Sequence, residues 1–410
     1  MTPDNITEAA NGAKRGRPFF HRPARLALIA FLALAALPIL RGDAMAALDT
    51  PYIVVDRNSG EVLAEHRAFD RWYPASLTKL MTFYVTLRAI QNGELSPGSP
   101  VVMSAEAVRQ PPSKMGLPVG AKLRVDTALQ ILVVKSANDL AVAIAESVAG
   151  SVPLFAERMN QEAARIGLTD SHFVNPNGLH SPSQYMSARD IAVLARRIFT
   201  DFPQYAAMFA VPAIRYRDEV DYSYNLLLER FPGTDGMKTG FVCASGYNFV
   251  VTAKRVDRGL IAVLLGAFSQ TERAVEGARL LLDGFGRSGG PVLDRYTRTG
   301  APVPPASQRP RMCSERAYAE RYDPGAGAAV IDSPLLQPRQ VTREPLIVTL
   351  DGIDAEPSEA FLTARLVPKG EIPVPTARPD FTVVDVDGEP VTGPSHSAAT
   401  IPVPTPRPLQ

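Results

Sequence analysis

The chain has 410 residues, 46% hydrophobic and 21% charged, with a formal net charge of +1. That length suits one large domain with an appendage, or two domains. Near-neutral charge gives no reason to expect nucleic acid or an acidic surface as partner.

The N-terminus is the first feature in chain order. Lys14, Arg15, Arg17, Arg22 and Arg25 precede an almost wholly apolar run over 26–40, and Ala44-Met45-Ala46 follows. A basic segment, an apolar core and a small-x-small site make up a secretory signal peptide. The apolar run is shorter than the ~20 residues that span a bilayer, and Pro38 interrupts it. An uncleaved anchor is the alternative. Loss of 1–46 leaves an exported, periplasmic chain with a net charge of about −2. In an oxidising compartment Cys243 and Cys313 most simply form a disulfide, the alternative being two buried thiols. Two cysteines alone do not make a zinc site, and there is no His-Glu-x-x-His. Neither a metal nor a cofactor is expected.

Alternating patterns predict a strand over 52–56, a turn at 57–60 and a returning strand over 61–65. Pro74-Ala75-Ser76-Leu77-Thr78-Lys79 then opens a helix whose apolar positions Leu80, Met81, Tyr84, Leu87 and Ile90 recur at helical spacing. Residues 97–125 read as loop and small strands. Helices are expected over 127–134, 140–149, 155–166 and 188–199. Three strands follow, beginning at 236–241 and continuing over 247–256 and 260–267, then a helix over 271–285. Strands at both ends of a helical block predict an α+β domain over 47–290, with an antiparallel sheet built from both termini.

Beyond 290 the composition shifts, with about 20 of the 37 prolines in the last 120 residues. Ile372-Pro373-Val374-Pro375-Thr376-Ala377-Arg378-Pro379 is nearly repeated as Ile401-Pro402-Val403-Pro404-Thr405-Pro406-Arg407-Pro408. Residues 346–350, 361–367 and 381–386 are candidate strands of a small β unit; a mostly disordered tail is the alternative. The last ten residues cannot form an amphipathic membrane helix.

Ser76 and Lys79 lie one helical turn apart, so an amine stands within reach of a hydroxyl. Arginine could not replace this lysine as a base, because its guanidinium stays protonated. Among eight lysines, Lys79 is the one with serine three positions before it. Ser136-x-Asn138 and Lys238-Thr239-Gly240 follow in order. Serine-x-x-lysine, serine-x-asparagine and lysine-threonine-glycine in this order form a catalytic signature of penicillin-binding proteins and β-lactamases. The chain resembles the serine-type D-alanyl-D-alanine carboxypeptidases, the low-molecular-mass penicillin-binding proteins, over about residues 47–290. The stretches Lys135-Ser136-Ala137-Asn138-Asp139, Asn175-Pro176-Asn177-Gly178-Leu179-His180 and Asp235-Gly236-Met237-Lys238-Thr239-Gly240 carry the likeness.

This resemblance implies a β-lactamase/transpeptidase-like fold and removal of terminal D-Ala from peptidoglycan stem pentapeptides. Ser76 is then the nucleophile, Lys79 its base and Ser136 a proton carrier. Asn138 holds the substrate amide, while Lys238 and Thr239 bind its carboxylate. Gly240 admits the substrate backbone, and the N–H groups of Ser76 and Phe241 form the oxyanion hole. β-Lactams are expected as covalent inhibitors. Ser223-Tyr224-Asn225 also matches serine-x-asparagine but reads as lead-in to the next strand. His66, His172 and His180 raise a Ser-His-Asp alternative, without a Gly-x-Ser-x-Gly elbow to support it. Competing functions are a β-lactamase or an endopeptidase of the same fold, and a non-catalytic wall-binding protein. The first lacks the Glu-x-x-x-Asn that would position a deacylating water.

Overall fold

A computed structural model of the protein describes residues 49–322, 333–340 and 344–348. The signal segment, the two proline repeats and the candidate strands at 361–367 and 381–386 lie outside the described residues. Strand β1 (Tyr52–Asp56) turns back into β2 (Val62–His66). The Asp56 carboxylate accepts the N–H groups of Asn58 and Ser59 and so fixes the turn. The chain then builds helices α1 (Lys79–Gln91), α2 (Val125–Val134), α3 (Asn138–Ala149), α4 (Val152–Arg165) and α5 (Ala188–Asp201). A small hairpin, β3 (Ala213–Tyr216) and β4 (Glu219–Tyr222), precedes the long strands β5 (Thr234–Val242), β6 (Gly246–Arg255) and β7 (Arg258–Ala267). Helix α6 (Gln270–Phe285) closes the set.

The five-stranded sheet runs β2-β1-β7-β6-β5, antiparallel throughout. Its centre joins the two ends of the domain, with Tyr52 opposite Leu264 and Asp56 opposite Leu260. Successive side chains on a strand point to opposite faces. Ile53, Val55, Ile261, Val263 and Leu265 accordingly enter the main core with α1 and α5. Val54, Leu260 and Phe249 are just as buried on the other face, under α6. Covered on both sides, β6 and β7 carry near-continuous apolar runs rather than alternation. All ten residues of α2 and the first eight of α3 are buried, which makes this pair the centre of the helical block.

This is the α+β architecture expected, with one local difference at the serine. Ser76 sits in a 3-10 turn, Ala75–Thr78, and the α-helix begins only at Lys79. Ala75 adopts φ +50°, which breaks regular helix before the serine.

The chain does not leave this body at residue 290. The Pro291 carbonyl accepts the Val62 N–H, Leu293 is fully buried, and Arg298 reaches the buried Asp170 at 2.7 Å. Cys313 is disulfide-bonded to Cys243. Residues 346–347 extend β3 in parallel, with Leu346 opposite Ile214. Proline-rich composition removes donors and regular structure, but not packing: these segments satisfy their remaining backbone groups on the domain itself.

Candidate active site

The turn bearing Ser76 is held from both sides by glycine. A Cβ on Gly178 (φ +85°) would stand 1.8 Å from the Ala75 carbonyl oxygen. One on Gly240 would stand 2.9 Å from the Ser76 nitrogen and 3.0 Å from the Pro74 oxygen. Any larger residue at either position would push the serine turn away. The Asn248 side chain completes the support, donating to the Tyr73 and Pro74 carbonyls at 2.9 and 3.1 Å.

Lys79 is 1% exposed, and its Nζ has three partners: Ser76 Oγ at 2.9 Å, Asn138 Oδ1 at 2.7 Å and the Asn177 carbonyl at 2.6 Å. The Asn138 amide is oriented by its own Nδ2, which donates to the Pro111 and Pro112 carbonyls. Two partners of Nζ are therefore acceptors only, and the third is a hydroxyl that can donate. These three oxygens can accept the three N–H bonds of an ammonium, and the same set also accommodates a neutral amine if the Ser76 hydroxyl turns to donate to nitrogen. Burial, then the positive charge of Lys238, hold Lys79 well below the usual lysine range; Asp139 opposes them. Asp139 is itself occupied, accepting the N–H groups of Met115, Gly116 and Leu140 at the start of α3.

Ser136 lies in the break between α2 and α3, at φ +64° and 6% exposed. Its hydroxyl makes no hydrogen bond to a described residue. Lys135 beside it turns away to pair with Asp221 of β4.

On the opposite wall β5 is the edge strand of the sheet and carries Lys238, Thr239, Gly240 and Phe241. Lys238 is 3% exposed, and its one hydrogen-bond partner among the described residues is the Thr239 carbonyl at 3.3 Å. Burial, then Arg273, push its pKa down to about 7. Arg273 of α6 is also 3% exposed, donating to the Tyr224 carbonyl and flanked by the Tyr247 and Phe249 rings. Burial brings it to about 10. Neither cation forms an ion pair with a carboxylate among the described residues. Two desolvated positive groups whose charges interact, neither neutralised by a carboxylate among the described residues, can receive an anion.

The three motifs thus meet: Asn138 and Ser76 on Lys79, and β5 against the serine turn through Gly240. Phe241 is 38% exposed, its ring against Tyr247. Asn225 is structural, capping a turn through Leu227 N–H and donating to the Gly236 carbonyl. None of these three histidines hydrogen-bonds Ser76: His66 lies beside Asp49, His172 on Ser183 and His180 against Tyr73. Sequence reasoning missed Arg273 and the Asn177 carbonyl. A charged residue on the stripe shared with Ala274, Gly277 and Leu281 was a visible signal for the first. A main-chain carbonyl leaves none. Among the described residues no group of three His, Cys, Asp or Glu is placed to hold a metal.

Comparison with known proteins agrees with this geometry. Residues 43–269 match the family described as D-alanyl-D-alanine carboxypeptidase. The chain is 35% identical over 269 residues to D-alanyl-D-alanine carboxypeptidase DacA of Haemophilus influenzae, covering 63% of this chain and 68% of that protein. It superposes on the crystal structure of penicillin binding protein 5 from Haemophilus influenzae with TM-score 0.56 at 34% identity, covering 58% and 71% of the two chains. Penicillin-Binding Protein D2 of Listeria monocytogenes, solved in its ampicillin-bound form, gives TM-score 0.51 at 27% identity over 58% of this chain and 97% of that one. With a family match across more than half its length, the chain belongs to the serine-type D-alanyl-D-alanine carboxypeptidase family.

Proposed function

We propose that the enzyme releases the terminal D-Ala of peptidoglycan stem pentapeptides through an acyl-enzyme on Ser76. The substrate lies along the free edge of β5 as an added strand, its carboxylate on Lys238, Thr239 and Arg273. Lys79 accepts the Ser76 proton as Oγ attacks the carbonyl of the penultimate D-Ala. The N–H groups of Ser76 and Phe241 take up the oxyanion, a contribution of about 3–4 kcal/mol per donor. Ser136 passes the proton on to the leaving D-Ala amine, while Asn138, its two N–H bonds already given to Pro111 and Pro112, holds the substrate amide N–H on the remaining lone pair of Oδ1. Water then hydrolyses the ester, with Lys79 again as base. β-Lactams carry a carboxylate and a reactive amide in the same relation, and acylate Ser76 by the same steps.

The observation that carries this reading is the buried Lys79 amine in direct contact with Ser76 Oγ at 2.9 Å, in surroundings that disfavour its charged form. A carboxylate that could activate water for rapid β-lactam hydrolysis does not touch that amine; the Asn177 carbonyl does. The disulfide supports export to an oxidising compartment. Ser76→Ala should lower D-Ala release by about 10⁴-fold or more. Mass spectrometry after incubation with a labelled penicillin should place the adduct on Ser76. Substantial D-Ala release from the alanine variant would refute the assignment.

A further inference from the structure

The proposed binding mode fixes the direction of the remaining peptide. With the carboxylate at Lys238 and the scissile carbonyl at Ser76, the acyl portion must continue past Phe241 toward Cys243. At that end of β5 the strand meets a segment from much later in the chain. The Gln308 N–H donates to the Ala244 carbonyl at 2.9 Å, Cys313 is bonded to Cys243, and Met312 is fully buried. A helical turn, Arg309–Met312, is thereby clamped to the end of the groove. Arg311 on that turn is engaged, donating to the Gly266 carbonyl and lying over Phe268. Arg309 is exposed and forms no ion pair with a described residue. Its charge is felt by His180, whose ring packs 4.7 Å from Tyr73 on the approach to the serine turn. The cation thus stands on a turn clamped at the end of β5, near enough to His180, two residues after Gly178, for its charge to act there.

We infer that Arg309 is a specificity residue for the acyl portion of the substrate, recognising an acidic group on the peptide before its D-Ala-D-Ala end, and that the Cys243–Cys313 disulfide holds it in place. This rests on the substrate direction proposed above. An exposed arginine facing a carboxylate in water contributes a modest preference, about fivefold or less, and one that salt weakens.

The test compares two N-acetylated peptides ending in D-Ala-D-Ala, one with Glu and one with Gln at the preceding position, in the full-length enzyme. Wild type should show a kcat/KM about three- to fivefold higher for the Glu peptide. Arg309→Gln should bring that ratio to about one, and Arg309→Glu should invert it. Because each ratio is taken within one variant, a general loss of activity cancels. Arg316→Glu, on the following exposed helix, should keep the wild-type ratio. The double variant Cys243→Ser/Cys313→Ser should lower it. No preference in wild type, or a preference that survives Arg309→Glu, overturns the inference. A wild-type enzyme that penicillin does not label at Ser76 and that processes neither peptide instead removes the reading beneath it, and this inference with it.

Discussion

The site holds two buried lysines, and they differ in what surrounds them. Lys79 has all its hydrogen-bonding capacity met by the protein, while burial and the charge of Lys238 disfavour its protonated form. Lys238 has one long contact to a carbonyl and a second cation for a neighbour. The first environment is complete without substrate and favours a base. The second is unfinished and favours an incoming anion. Desolvation depresses both, so burial alone does not tell a base from a binding group; the partners do.

Exchanging lysine for arginine should break this comparison most sharply. Lys79→Arg installs a group that cannot deprotonate, and should lower kcat by about 10³-fold or more while the protein stays folded. Lys238→Arg keeps the charge and should cost only about tenfold, mainly in KM. Equal losses in kcat for the two would show that the roles are not divided in this way.

Arg273→Gln should come next in size. It removes one desolvated cation from the anion site, costing about 2 kcal/mol in kcat/KM for a free carboxylate. A substrate with its C-terminal carboxylate amidated should lose little further on this change. An equal penalty on both substrates would mean that Arg273 acts through folding.

The pH profile sharpens the contrast further. Lys79 must be neutral, so kcat/KM falls as acid protonates it. Lys238 must be charged, so kcat/KM also falls as pH rises through about 7. In Lys238→Arg the alkaline limb should move upward by more than one pH unit, because guanidinium stays protonated. An unmoved limb would assign that ionisation elsewhere.

The smallest effect lies far from the groove. Val256, at the β6–β7 turn, is a β-branched residue at φ +52° and is 89% exposed. Val256→Gly should stabilise the fold by about 1 kcal/mol in a denaturant titration and leave kinetics unchanged.

The long elements were legible because their signals are local. The strand expected over 247–256 is Gly246–Arg255, and the helix expected over 271–285 is Gln270–Phe285. The 3-10 segment Pro203–Ala210 and the β3–β4 hairpin were not read, although Ile214 and Tyr216, then Val220 and Tyr222, alternate with charged residues there; each strand is only four residues long. In the site, side-chain chemistry was readable from motif spacing. What orients it was not: the Asn177 carbonyl, the Pro111 and Pro112 carbonyls on Asn138, and the close packing at Gly178 depend on backbone positions set by the whole fold. Arg273 was hidden for a different reason, lying 35 residues from Lys238 on an element read only for its packing stripe.

The pairing of β1 with β7 has a consequence for how the polypeptide is made. The first strand to emerge waits for a partner some two hundred residues later, and neither the central sheet nor the groove exists until that partner arrives. A nascent thread lacking its last strands has no assembled nucleophile, so its hydrolytic chemistry is switched on by completion of the sheet rather than by synthesis of the serine.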